Sequence, residues 1–250
     1  MQIRWPLRAD VTAASVAERP YTVLSCAMSM DGYIAGAAGK PLPLSNAADF
    51  DRVDAVRAAC DAILVGAATV RSDQPRLMLR SSARRNERLA RDLPPSPMKV
   101  TVTGGGWLDA LATFFATGDT AKVVYCASPV VHEVSERLGS VATVIDGGQP
   151  VSMQWVSEDL YRRGVERLMV EGGQSIHTQF LTGELADELH LAVAPFFVGD
   201  STGRRFVGDG RFPWHPGRRA TLAEVRQLGD VALLRYALSP RFRGEPLEEV

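Results

Sequence analysis

Residues 167–181, RLMVEGGQSIHTQFL, place a carboxylate beside two glycines where an apolar run gives way to helical spacing. Leu168, Met169 and Val170 suit a buried parallel strand. From Gln174 onward Ile176, Phe180 and Leu181 share one face of an amphipathic helix. Gly172 and Gly173 let the backbone approach a ligand because no Cβ stands in the way. The helix start adds free N–H groups and a partial positive charge, which suit a phosphate. Glu171 then sits at the carboxyl end of its strand, where open α/β sheets bind ligands. The chemistry offered is an anion cradle with an acid–base or orienting group beside it. The same glycines also suit a plain βα turn that needs only tight packing. A second junction of this kind occurs at 62–71, where the run AILVG ends at Gly66 and Ala67-Ala68-Thr69-Val70-Arg71 begins a helix.

The elements that must position these residues follow from periodicity. Strands are expected at 21–28, 62–66, 99–103, 122–126, 142–145, 168–170 and 188–193, with a short return strand at 33–35. Helices are expected at 49–60, 130–138, 153–163 and from 174, with Ser45 or Asn46 capping the first. Phe50, Val53, Val56 and Ala59 give that helix its apolar face. The basic, then proline-rich segment 81–97 reads as an exposed helical excursion with a solvated face. Runs at 220–227 and 231–238, separated by Leu228-Gly229-Asp230, form a β-hairpin. Alternating strands and helices imply a mostly parallel sheet covered on both faces, closed by that antiparallel hairpin. No linker divides the chain, so one domain over 21–238 is expected, with an arm at 1–20 and a tail at 239–250.

Composition removes several classes of function. The 250 residues are 46% hydrophobic and 23% charged, with a net charge of -1. No global basic field argues for nucleic acid. No apolar run reaches the roughly 20 residues of a membrane span, and the first 20 residues lack a signal-peptide core. A cytoplasmic protein is expected. Cys26, Cys60 and Cys126 are scattered and fit neither a disulfide framework nor a zinc knuckle, and His132-Glu133 has no second His at helical spacing, so no metal is expected.

Several pieces then line up in order: the strand ending in Ser29-Met30-Asp31-Gly32, RAACDAILVG at 57–66, TVRSDQPRL at 69–77, Arg80, Glu171-Gly172-Gly173, and Asp187-Glu188-Leu189 before Ala194-Pro195. Over 21–238 the chain resembles the reductase of riboflavin biosynthesis, the RibD C-terminal family. That resemblance implies a three-layer dihydrofolate-reductase-like α/β fold without the zinc deaminase domain of larger members. It implies NADPH as cofactor, a phosphorylated 5-amino-6-(phosphoribosylamino) pyrimidine as substrate, reduction of the ribosyl to a ribityl chain, and a homodimer.

Residue by residue, the resemblance implies that Met28, Gly66, Thr69 and Asp73 lie along the cofactor. Thr103 and Gly104 meet its adenosine side, and Gly172, Gly173, Gln174, Ser175 and Gln179 cradle the pyrophosphate. Arg57 and Arg80 hold the substrate phosphate, a role suited to guanidinium forks, with Ser29, Ser45 and Leu77 nearby. Glu171 contacts substrate, and Glu171 or Asp73 is the group available for proton transfer. The chain departs from the family at Gln74, where a second Asp is common, and at Ser25, where a Lys or Asn is common. It departs again at Gly104-Gly105-Gly106-Trp107, where a basic residue often meets the 2′-phosphate; Arg71 or Lys99 are the candidates to compensate. These departures keep two other readings open. One is a related reductase acting on a pteridine, dihydrofolate or specialised metabolite, and the other is a nucleotide-binding regulator without turnover.

Overall fold

Central strands of a sheet covered on both faces must be apolar on both faces, and three segments meet that requirement. Ile63, Leu64, Leu168, Met169 and Val170 have no exposed surface, and Val23 and Leu24 join them. In the computed structural model, which describes residues 18–244, these lie in the middle of a nine-stranded sheet. The chain runs β1 (Tyr21–Ser29), β2 (Tyr33–Ala35), α1 (Ala47–Ala58), β3 (Ala62–Gly66), α2 (Ala67–Asp73), α3 (Ser82–Ala90), β4 (Met98–Thr103), α4 (Thr113–Ala116) and β5 (Lys122–Cys126). It continues α5 (Val131–Leu138), β6 (Thr143–Asp146), α6 (Met153–Arg162), β7 (Arg167–Gly172), α7 (Gln174–Thr182), β8 (Glu188–Ala194), β9 (Arg204–Arg205), β10 (Thr221–Leu228) and β11 (Val231–Ala237).

The strand order is β10-β11-β8-β1-β7-β3-β4-β5-β6. All pairs from β8 to β6 are parallel; β11 runs antiparallel to β8 and β10. The hairpin turn is Gly229-Asp230, with Gly229 at φ +62. One core, around Leu64, Leu168, Val170, Ile176 and Phe180, lies under α6 and α7. The other, around Val23, Ile63, Val65, Val70 and Val134, lies under α1, α2 and α5. Each fully buried Leu or Ile contributes roughly 1.5–3 kcal/mol relative to exposure. No helix among the described residues is long and apolar enough to cross a membrane.

Four expectations are corrected or sharpened. The short strand at 33–35 does not return along β1. It pairs antiparallel with β9, a strand too short to register as periodicity. Of the apolar face expected for α1, Val56 is buried and Val53 packs on the core, but Phe50 is 42% exposed, and Asp49, Arg52 and Asp54 are buried as well. Asn46, rather than Ser45, is the N-cap; it accepts from Asp49 N and donates to Leu228 O and Asp230 Oδ1. Finally, α3 is the expected exposed excursion, with Ser82, Ala83, Asn86, Glu87, Leu89 and Ala90 in solvent, but its arginines Arg84 and Arg88 are engaged. Arg88 is buried and donates to Pro94 O, Ala58 O and Cys60 O, while Arg84 pairs with Asp51 and Asp54. Backbone carbonyls and acids of α1 consume its charge. Most of the expected arm, and the last six residues of the expected tail, lie outside the described residues. Arg19, at the start of the described chain, makes a two-bond pair with Asp187 at 2.7 and 2.9 Å.

Candidate active site

The carboxyl ends of β1, β3 and β7 open into a cavity of about 410 Å³. Its wall combines Ser25, Cys26 and Ala27 of β1, Gly66, the α2 residues Ala68, Thr69, Ser72 and Asp73, and the α7 start at Gly173-Gln174-Ser175. The two strand–helix junctions touch. A Cβ on Gly66 would lie 2.9 Å from Ile176 Cγ1, and one on Gly173 would lie 3.1 Å from Thr69 Oγ1. Gly173 is the N-cap of α7 and supplies no side-chain cap, so the first N–H groups of that helix face the cavity uncovered. Such a terminus attracts anions through donors and dipole together.

Gly172 has another reason to be glycine. Its φ is +106, and a Cβ there would lie 2.8 Å from His177 Cε1. The His177 ring fills that space, 5.1 Å from the Phe206 ring centroid, with neither ring nitrogen hydrogen-bonded. Burial drives its pKa down to about 4, weakly opposed by the nearby backbone of Phe206 and Val170.

Across the cavity, Arg57 Nε and Nη2 donate to Glu171 Oε1 and Oε2 at 2.6 and 2.7 Å. Both side chains are 15% exposed. This fork holds Glu171 from two sides and commits both its oxygens as acceptors. At the floor, Arg52 donates from Nε to Asp49 Oδ1 at 2.8 Å and meets His190 Nδ1 at 3.2 Å. His190 Nε2 meets Glu188 Oε1 at 2.6 Å, and Arg235 and Tyr21 also bond Glu188. Burial opposes the charge on Glu188, but His190 and Arg235 together hold its carboxyl down at about 2.

The RibD C-terminal domain model matches residues 20–234. The chain belongs to the RibD C-terminal domain family. It is 32% identical over 223 residues to a 2,5-diamino-6-ribosylamino-4(3H)-pyrimidinone 5′-phosphate reductase of Methanothermobacter thermautotrophicus, covering 88% of this chain and 99% of that one. A reductase of the same name from Archaeoglobus fulgidus is 34% identical, covering 72% of this chain and 83% of that one. Among solved structures, a pyrimidine reductase-like protein of Corynebacterium diphtheriae superposes with a TM-score of 0.73 at 21% identity, covering 88% and 92%. Acinetobacter baumannii RibD gives 0.69 at 24%, and there the chain spans 58% of the longer protein. The sheet between two helical layers, closed by the β10–β11 hairpin, is the dihydrofolate-reductase-like architecture of this family.

Of the residues singled out by the RibD resemblance, the cavity gathers Ser45, Arg57, Gly66, Thr69, Asp73, Arg80, Glu171, Gly173, Gln174 and Ser175. Others lie off its wall. Ser29 is buried and engaged in its own turn, donating to Asp31 and accepting from Tyr33 N. Leu77 is 2% exposed in the core beneath α1 and α2. Met28 is half-buried opposite Val193. Thr103 is buried and caps the following loop by accepting from Gly106 N, while Gly104 is exposed beyond it. Gly172 backs His177, and Gln179 bonds Ser175 one turn earlier on the helix surface. Neither candidate for the 2′-phosphate is free. Lys99 is fully buried, its Nζ bonded to Phe114 O and Thr117, and burial lowers its pKa to about 8. Arg71 donates to Trp107 O. Gln74 accepts from Thr113 N and Oγ1 and so ties the end of α2 to α4.

Sequence reasoning missed Asp49, Arg52, His177 and Arg204, all on the cavity wall. The (i, i+3) spacing of Asp49 and Arg52 was a readable signal of a pair. His177 was hidden by its place on an otherwise apolar helix face.

Proposed function

We propose that this chain is an NADPH-dependent reductase that converts 2,5-diamino-6-ribosylamino-4(3H)-pyrimidinone 5′-phosphate to its ribitylamino form. On this reading it acts before ring deamination, in the cytoplasm, as a homodimer. The observation that carries the proposal is the convergence of the two glycine junctions on one cavity, with the Arg57–Glu171 fork on the same wall. Side chains at Gly66 or Gly173 would press on Ile176 or Thr69, so the glycines let the two helix starts close on one wall, where the uncapped N–H groups of α7 fit a dinucleotide's pyrophosphate. The order relative to deamination is drawn from the stand-alone archaeal reductases, whose length the chain nearly matches.

Bound NADPH supplies the hydride for this reduction. In the proposal, the N–H groups at the start of α7, with Ser175, bind its pyrophosphate. Thr69 and Asp73 flank it on the facing helix. Glu171 orients the substrate rather than donating a proton, because both its oxygens already accept from Arg57. Asp73 lines the cavity with an exposed carboxylate and transfers the proton through water.

The test is consumption of NADPH by the purified protein with the diaminopyrimidinone phosphate, run beside its deaminated analogue and beside NADH. Turnover selective for the diamino compound and NADPH supports the reading in full. Preference for the deaminated compound reverses the order of the two reactions. NADPH binding without turnover on either removes the proposal.

A further inference from the structure

The helix α2 has only seven residues, yet Ala68, Thr69, Ser72 and Asp73 of it line the cavity. A helix this short is marginal by itself. Its N-cap, Gly66, supplies no side-chain bond, and its buried residues are Ala67 and Val70, both in the first half. Core packing therefore anchors the start of α2, next to Thr69, and leaves the turn that carries Asp73 to be held by other means.

Those means are polar and lie on the flank opposite the cavity. Arg71 and Gln74, three positions apart, share that flank. Arg71 Nη1 donates to Trp107 O at 2.8 Å. Gln74 Oε1 accepts from Thr113 N at 3.0 Å and from Thr113 Oγ1 at 3.3 Å, and Gln74 Nε2 reaches back to Arg71 O at 3.5 Å. To make these bonds Gln74 stands at φ +47 and ψ +50. That left-handed conformation costs a residue with a Cβ about 1 kcal/mol, and helix ends that adopt it usually carry glycine. Here the glutamine side chain offsets the cost with its bonds.

The segment that receives α2, residues 104–117, is itself fixed to the sheet. Lys99 of β4 is fully buried and pairs with no carboxylate among the described residues. Its Nζ donates to Phe114 O, Thr117 O and Thr117 Oγ1 at 3.0, 2.7 and 3.2 Å. Thr117 Oγ1 in turn donates to Thr113 O at 2.7 Å, and Arg137 of α5 donates to Gly106 O at 2.9 Å. Arg71, Lys99 and Arg137 thus all spend N–H groups on backbone carbonyls of one segment. Bonds from ionised donors are roughly twice as strong as neutral ones, so the segment forms a rigid abutment beside α2.

We propose that Gln74 is a positioning residue: with Arg71 it latches the last turn of α2 onto the 104–117 abutment and so sets where the Asp73 carboxylate stands in the cavity. The catalytic consequence rests on the reductase reading, in which Asp73 moves the proton; the latch itself is a property of the fold.

The experiment compares wild type with Q74A, Q74G, Q74E, D73N and D73N/Q74A. Turnover of the diaminopyrimidinone phosphate with NADPH gives kcat, nucleotide fluorescence gives NADPH affinity, and thermal unfolding gives Tm. Q74A is expected to lower kcat about tenfold, because a displaced catalytic group costs rate steeply, while NADPH affinity holds. Q74E keeps the acceptor for Thr113 and is expected to restore wild-type kcat. Q74G also loses the bonds but relieves the left-handed strain, so it is expected to keep Tm while losing kcat as Q74A does. A residue that only stabilised the fold would leave kcat of the folded protein unchanged in both. In the D73N background Q74A is expected to cost nothing further, since its effect runs through Asp73. Wild-type kcat in Q74A, or the same proportional loss in D73N as in wild type, overturns the proposal. If wild type does not turn over, amide hydrogen exchange of residues 67–74 still decides. Faster exchange in Q74A and Q74G, with wild-type exchange in Q74E, keeps the latch and sinks only the reductase reading; unchanged exchange in Q74A and Q74G sinks the latch.

Discussion

Replacing Glu171 with Gln tests the central pair of the cavity on two independent axes. The substitution keeps shape but removes one of the two acceptors that hold Arg57, whose bonds are 2.6 and 2.7 Å. Breaking one side of a fully buried ion pair costs about 3–5 kcal/mol, and a surface pair is worth about 0–1 kcal/mol. With both side chains 15% exposed, the screened value lies between these limits, about 2 kcal/mol. For a domain of this size that lowers Tm by roughly 4–8 °C. R57Q is expected to cost a similar amount, and the double variant less than the sum, with a coupling of about 1 kcal/mol or more. Thermal and urea unfolding of the four proteins give this cycle. On the catalytic axis, a misplaced orienting group lowers turnover by about a hundredfold, while NADPH affinity, followed by the fluorescence of the bound nucleotide, is expected to hold. Strict additivity in the cycle would refute the pairing as an energetic unit. A loss of cofactor affinity in step with turnover would place Glu171 on the cofactor and refute its substrate role.

Three further outcomes are expected. N46A removes both a helix cap and the bonds to the β10–β11 turn, at a combined cost of about 2 kcal/mol by urea unfolding; N46D keeps the cap but sets a carboxylate against Leu228 O and Asp230, so wild-type stability in N46D would contradict the cross-link. G66A drives a methyl to within 2.9 Å of Ile176 Cγ1 and is expected to weaken NADPH binding about tenfold, the equivalent of about 1.4 kcal/mol; unchanged binding would show that α7 does not need this close approach. His177 has a folded pKa of about 4, below its unfolded value, so its neutral burial is fully tolerated above about pH 6.5 and destabilises progressively as pH falls towards 4. Between pH 7 and 5 that amounts to roughly 2 kcal/mol, and His177→Leu is expected to remove it; an unaltered pH–stability slope would mean the ring takes up its proton in the folded state.

The sheet was legible because its strands obey one rule: segments buried on both faces, such as AILVG ending at Gly66, must be apolar throughout, and glycine must stand where two helix starts meet. The site was legible to the extent that its residues sit at strand ends. Glu171, Gly66 and Gly173 lie at such positions, and Thr69 and Asp73 lie on the helix that follows β3. Tertiary pairing was not legible. Nothing local in Arg57 announces a partner 114 positions away, and the buried acids of α1 break the apolar-inward rule from which Phe50 was read as core. Ser29 and Thr103 are the converse case. Hydroxyls near strand ends suit ligand contact, but here backbone N–H groups of the adjoining loops take them first.

The polar string beneath the cavity explains why its two ends differ. Asp49, Arg52, His190, Glu188 and Arg235 are all buried, and such a string is no more stable than an apolar core of the same shape. Its members fix one another's state. An Arg52 N–H facing His190 Nδ1 requires the ring proton on Nε2, which is the atom that meets Glu188. Arg235 then neutralises Glu188, as Arg52 neutralises Asp49. Arg52 can turn neither toward the cavity mouth nor toward solvent without stranding a carboxylate and an imidazole. The floor is therefore fixed and charge-balanced, which on the proposed reading suits a neutral heterocycle held in one orientation. Arg80, by contrast, stands exposed on the outer wall, its guanidinium 4.4 Å from the Phe50 ring centroid. The cavity thus pairs a rigid, charge-balanced floor with an exposed cation at its rim.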